Sequence, residues 1–196
     1  MNFRTVVTAA IAISAALVLA GCSTGIDEES MPGMDHGSSE QSANASNADV
    51  MFASMMIVHH EQAIEMSDIV LSKDDVNPEV VELAEAIKAA QGPEIEQLQD
   101  WLDDWGVDPE ERKADGMDHG DGMMTEDDLA TLKAAGGAEA SELFLAQMIA
   151  HHEGAVEMAQ TQIDEGTNPD AVELAQTIIN AQTAEIQEMK DLLATL

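Results

Sequence analysis

The sequence predicts an all-α protein: a four-helix bundle made of two duplicated helix hairpins, with a short extra helix in the connector. Three observations predict it. The chain repeats itself: MIVHHEQAIEM at 56–66 returns as MIAHHEGAVEM at 148–158, and NPEVVELAEAIKAAQGPEIEQLQDWL at 77–102 returns as NPDAVELAQTIINAQTAEIQEMKDLL at 168–193. Each copy reads as helix, Asn-Pro turn, helix, because asparagine caps a helix well and proline is tolerated at its first position. Tyrosine is absent and Phe and Trp number 3 and 2, so Leu, Ile, Val, Ala and Met must build the core, a set that favours helices over a β-sandwich. One hairpin cannot bury its own apolar face, whereas two can.

In chain order, Arg4 precedes the apolar run VVTAAIAISAALVLAGC, short and alanine-rich, which reads as a signal peptide over 1–22 rather than a retained span. Its end, LAGC, resembles a bacterial lipobox, in which Cys22 would be lipidated and become the first mature residue. Cys22 is the only cysteine, so an intramolecular disulfide is excluded. Residues 23–47 are small and polar and read as a flexible tether. The first repeat covers about 48–104, with helices expected over about 48–72 and 78–103. Val81, Ala84, Ile87, Ile95, Leu98 and Leu102 recur there at helical spacing, and Gly92-Pro93 should kink the helix they define. The connector, 105–139, holds an acidic Gly/Met/His loop and then TEDDLATLKAAGG, where Thr125 caps a short helix, acids fill its first turn and glycines end it. The second repeat covers about 140–196, with helices over about 140–163 and 169–194.

Asp and Glu total 39 against 7 Lys and Arg, a formal charge of −32. Such a surface excludes nucleic acid as a partner, because binding there requires basic side chains to neutralise phosphate. It attracts cations only diffusely, and solubility or a salty environment accounts for it without a specific site.

The residues that carry chemistry are the paired histidines. On a helical wheel centred on Met56, Ala63, Ser67 and Val70 form the core face, while His59 falls near −60° and His60 near +40°, straddling its centre. Met66 lies on the flank nearest His59, and Glu61 and Glu65 point to solvent. Met148, His151, His152, Ala155 and Met158 reproduce the arrangement in the second repeat. Two such faces meeting in one bundle would gather four imidazoles and several thioethers. Imidazole suits copper, zinc, iron and nickel, and thioether selects Cu(I), so a His/Met set without thiolate points to copper, as Cu(I) or Cu(II). The competing reading is that the methionines are core filler and the histidines are hydrogen-bonded structural groups. Against it stands the cost of burying four imidazoles.

A second constellation lies in MPGMDHG at 31–37 and GMDHGDGMM at 116–124. Met34, His36, Met117, His119, Met123 and Met124 could wrap a soft cation as secondary, loop ligands. Other chemistries fail on spacing. No histidine has Glu three residues before it, as a carboxylate-bridged di-iron bundle would need. HHE is not the His-Glu-x-x-His of zinc proteases, and the Gly-rich loops lack a phosphate-loop lysine.

The paired M-I-x-H-H-E-x-A-x-E-M motifs, and the stretch GMMTEDDLATLKAAGGAEASELFLAQMIAHHEGAVEMA at 122–159, resemble the domain-of-unknown-function family DUF305 over about 48–196. The resemblance implies a ferritin-like four-helix bundle in a secreted or lipid-anchored bacterial protein. It further implies copper handling, with Met56, His59, His60, Met66, Met148, His151, His152 and Met158 as ligands. The expectation is therefore a non-enzymatic, extracytoplasmic copper-binding lipoprotein that buffers the metal, held to the cell membrane through Cys22. The alternatives are an envelope interaction module with structural histidines and a ferritin-like metal oxidase.

Overall fold

The structure, a computed structural model, describes residues 45–110, 112 and 122–196. Among them are five helices and no strand: α1 (Asn47–Leu71), α2 (Pro78–Asp104), α3 (Glu126–Ala134), α4 (Gly137–Glu165) and α5 (Pro169–Leu193). The Asn-Pro turns act as expected. Asn77 accepts from the Glu79 amide, Asn168 accepts from the amides of Asp170 and Ala171, and each following proline opens its helix. Ser46 with Asp49, and Thr125 with Asp128, form reciprocal capping boxes on α1 and α3. Helix α2 runs unbroken through Pro93. The residue before a proline is driven out of the helical region partly by its Cβ, and here that residue is Gly92, which has none.

α1 packs against α2, α4 against α5, and the two hairpins meet along α1 and α4. The duplication makes their joints equivalent. Ninety-two positions separate Asp49 from Ser141, the offset that separates His59 from His151. Asp49 on α1 is fully buried and accepts from the backbone amides of Thr167 and Asn168 in the α4–α5 turn and from Gln162 Nε2. Ser141 on α4 accepts from the Asn77 amide in the α1–α2 turn. Each hairpin thus holds the turn of the other. At Gly137 a Cβ would lie 2.1 Å from the Asp74 carbonyl oxygen, so only glycine lets α4 start against that turn.

The apolar core falls into two clusters. One lies around the α1–α2 turn and holds Ala63, Met66, Val70, Leu83, Ile87, Phe144, Met148 and Met189, with Leu132 of α3. The other lies at the opposite end and holds Phe52, Met56, Leu98, Leu102, Ala155, Leu174 and Ile178. Between Ile87 and Leu98 on α2, and between Ile178 and Met189 on α5, the buried side chains are Gln91 and Gln182. On α1 and α4 the same interval contains the four histidines. A polar layer therefore crosses the bundle at mid-height.

Candidate metal centre

His59 and His60 come from α1, His151 and His152 from α4, and all four are buried. Adjacent residues on a helix are about 100° apart, so no single orientation hides one ring and exposes its neighbour once a partner helix covers the whole face. The rings of His59 and His151 touch, with centroids 3.7 Å apart and planes tilted by 35°. These two positions are equivalent in the repeat, so the contact lies where the pseudo-twofold relation brings a residue against its own counterpart.

His60 and His152 are oriented differently. Nε2 of His60 lies 2.8 Å from Oε2 of Glu94 on α2, and Nε2 of His152 lies 2.7 Å from Oε2 of Glu185 on α5. A carboxylate only accepts, so Nε2 carries the hydrogen and, in the neutral ring, Nδ1 carries the lone pair. The carboxylates are themselves about one-fifth exposed.

Six ring nitrogens are buried without a hydrogen-bond partner: both nitrogens of His59 and of His151, and Nδ1 of His60 and His152. Each such atom costs about 1–3 kcal/mol. Burial pushes the His59 imidazole down to about 3, with the neighbouring His60 and His152 adding to the effect. Burial likewise pushes His151 well below its ordinary value, with repulsion from His59, His152 and His60 behind it and the His59 backbone opposing the shift. At neutral pH both rings therefore present lone pairs rather than charge. This is the donor chemistry an incoming cation requires.

Among the described residues, no group of three or more His, Cys, Asp and Glu side chains stands in a ready coordination shell. His59 and His151 are closed on each other, so holding an ion between them requires the rings to part. The four methionines expected as ligands sort across the repeats rather than within them. Met66 and Met148 belong to the cluster on one side of the histidine layer. Met56 belongs to the cluster on the other side, with Met158 packed against it. The half-sites read from each repeat alone are thus exchanged: each side of the layer receives one methionine from each copy. Met158 is only half-buried and lines a surface groove with Met51 and Met55.

Of the loop residues, Met123 and Met124 are half-buried. Met124 is fixed rather than free: its amide and carbonyl both bond the side chain of Gln62, and its side chain packs on the core. Cys22, Met34, His36, Met117 and His119 lie outside the described residues. Glu61 and Glu65 are exposed, as expected.

Glu94, Glu185, Gln91 and Gln182 were missed by sequence reasoning. Their signal was the duplication itself. The second helices align at an offset of 91 residues, which places Glu94 on Glu185 and Gln91 on Gln182. Both glutamines leave Oε1 buried without a partner.

The fold has solved counterparts. A DUF305 protein from Streptomyces coelicolor matches with a TM-score of 0.68 and 34% identity, over 76% of this chain and 93% of that one. A DUF305 fragment from Deinococcus radiodurans matches with a TM-score of 0.66 and 31% identity, over 78% and 99%. CopM in its Cu(I)-bound form matches with a TM-score of 0.63 and 31% identity, over 75% and 96%, and CopM has also been solved with Cu(II) and with silver. No curated protein sequence matches. The sequence profile of the domain of unknown function DUF305 matches residues 49–193, and with these structures it shows that the chain belongs to the DUF305 family.

Proposed function

We propose that this protein binds and buffers copper outside the cytoplasm. The observation that carries the reading is the set of six partnerless imidazole nitrogens from four histidines, collected in one buried layer by both repeats. His59, His60, His151 and His152 would hold the ion, with thioethers from Met56, Met66, Met148 and Met158 available from the clusters above and below for the softer Cu(I). Glu94 and Glu185 orient two of the rings, as carboxylates do behind metal-bound histidine. The copper and silver forms of CopM support the choice of metal. The metal is cargo, and no turnover is proposed: the bundle lacks the Glu-x-x-His pairs of a di-iron oxidase. No described helix is long and apolar enough to cross a membrane, and the attachment proposed is a lipid on Cys22.

The test is a titration with Cu(I) and with Cu(II) against a competing chelator. The H59A/H60A/H151A/H152A variant should lose the tightest site while keeping its helical circular dichroism. Unchanged affinity in that variant would refute the assignment. Affinity in the wild type no better than that of a histidine-free acidic protein would refute the function.

A further inference from the structure

The groove that takes in Met158 has a chemistry that the histidine layer does not explain. Its walls include Met51, Phe52 and Met55 from α1 and Met158, Gln162 and Glu165 from α4, around a volume of about 210 Å³. Three of these are thioethers. Met51, 50% exposed, is the most exposed large apolar side chain among the described residues. Gln162 is buried, yet its Oε1 has no hydrogen-bond partner. Met51, Met55 and His59 occupy positions i, i+4 and i+8 of α1, a single stripe that advances about 6 Å per step. Along it, exposure falls from half at Met51, through a partly buried Met55, to 1% at His59.

The duplication provides a comparison within the same molecule. At the offset of 92, the counterparts of Met51, Met55 and Met158 are Leu143, Gln147 and Met66. That surface is covered. Helix α3 packs on α1 and α4 there, Leu132 is fully buried beside Met66, and Leu143 packs against the same cluster. Gln147 Nε2 donates to the Asp128 carbonyl, while Lys133 of α3 pairs with Glu65 of α1. Where the fold uses this surface for packing, it places leucine and glutamine beneath a helix. No described element covers its counterpart, and the same two positions there are methionines. An uncovered surface needs no apolar side chain for stability, whereas the thioether is a soft donor.

We propose that this groove is a thioether site for a soft monovalent cation of the Cu(I) or Ag(I) class, with Met51, Met55 and Met158 as donors. His59 follows Met55 by one turn of α1, and a role for the groove as the mouth of the buried centre rests on the copper-buffering reading; the thioether site itself does not. The opposite approach is closed by α3, which makes the bundle one-sided despite its repeat. The acidic surface, with Glu165 at the rim, raises the local concentration of cations.

Silver ion, which is diamagnetic, is the probe. Titrated into protein carrying ¹³C-methyl methionine, it should shift the methyl signals of Met51, Met55 and Met158 together. The same shifts should occur in the H59A/H60A/H151A/H152A variant, or in H59Q/H151Q if the former loses its helical signal. M51L/M55L, which conserves side-chain volume and leaves every thioether assigned to the buried centre in place, should keep the fold and bind one fewer silver ion. Methyl signals at these three positions that stay still while other methionines respond would overturn the proposal, as would unchanged stoichiometry in the leucine variant. Either result, with silver still perturbing the imidazoles, leaves the buried centre standing. Thioether shifts with no imidazole response uphold the groove and overturn the centre.

Discussion

Replacing both touching histidines by leucine should make the metal-free protein more stable. In H59L/H151L, four buried nitrogens without partners disappear, each relieving about 1–3 kcal/mol. The loss of the ring–ring contact, 3.7 Å between centroids, gives back about 0.5–1.5 kcal/mol. Imperfect fit of the leucines gives back about 1–3 kcal/mol more. With each contribution at the middle of its range the net is a gain of about 5 kcal/mol, which for a domain of this size raises the melting temperature by roughly 10–20 °C, and with each at its least favourable the stability is about unchanged. Urea unfolding in the presence of a chelator measures it, with the slope checked for constancy. The same variant should lose the stabilisation that copper gives the wild type. A variant destabilised by more than about 1 kcal/mol, with unchanged copper affinity, would show that the histidines are structural.

Four further outcomes are expected. Copper at a hundredfold excess over its dissociation constant should stabilise the wild type by about 2.7 kcal/mol in calorimetry, and H59A/H60A/H151A/H152A should show none of this. E94A/E185A should keep the fold yet weaken copper binding about tenfold or more, measured by chelator competition. Acid should destabilise the metal-free protein early. The folded state holds His59 at about 3 and His151 well below 6.5, so the unfolded chain takes up protons that the folded one refuses. Stability is therefore complete above about pH 6.5 and falls by about 1.4 kcal/mol per pH unit for each such histidine as pH drops toward 3. H59L/H151L should lack that slope. Asp49 acts differently: burial opposes its charge, but hydrogen bonds from Ser46, Gln162 and Asn168 outweigh it and hold the carboxyl at about 2. Its contribution is present above about pH 3.9 and is lost only as pH falls through 2, which unfolding of D49N across that range would reveal.

The helices were legible because their punctuation is local. Asn77-Pro78, Asn168-Pro169 and Thr125 each state where a helix starts, and the structure begins α2, α5 and α3 at those points. Gly92-Pro93 interrupts the apolar spacing of α2 without ending the helix, which continues through it to Asp104. The inward aim of the histidines followed from the wheel, since a wheel reports which face a residue occupies. It does not report which level of a neighbouring helix that face meets. For that reason the sorting of Met66 with Met148, and of Met56 with Met158, could be read only from the packed hairpins. Glu94 and Glu185 reach the rings across a helix–helix gap, and only their matched places in the two copies hinted at them.

The polar layer at mid-height has a mechanical meaning. Two apolar clusters share long helices but are separated by a layer with six partnerless imidazole nitrogens, so the empty bundle should have a weak seam there. An ion gripped from both hairpins would rivet that seam. Amides on the two sides of His59, which in the empty protein should exchange with solvent as two separate groups, would then exchange as one. Occupancy would be written in the stiffness of the whole rod, legible to a protease that never touches the metal.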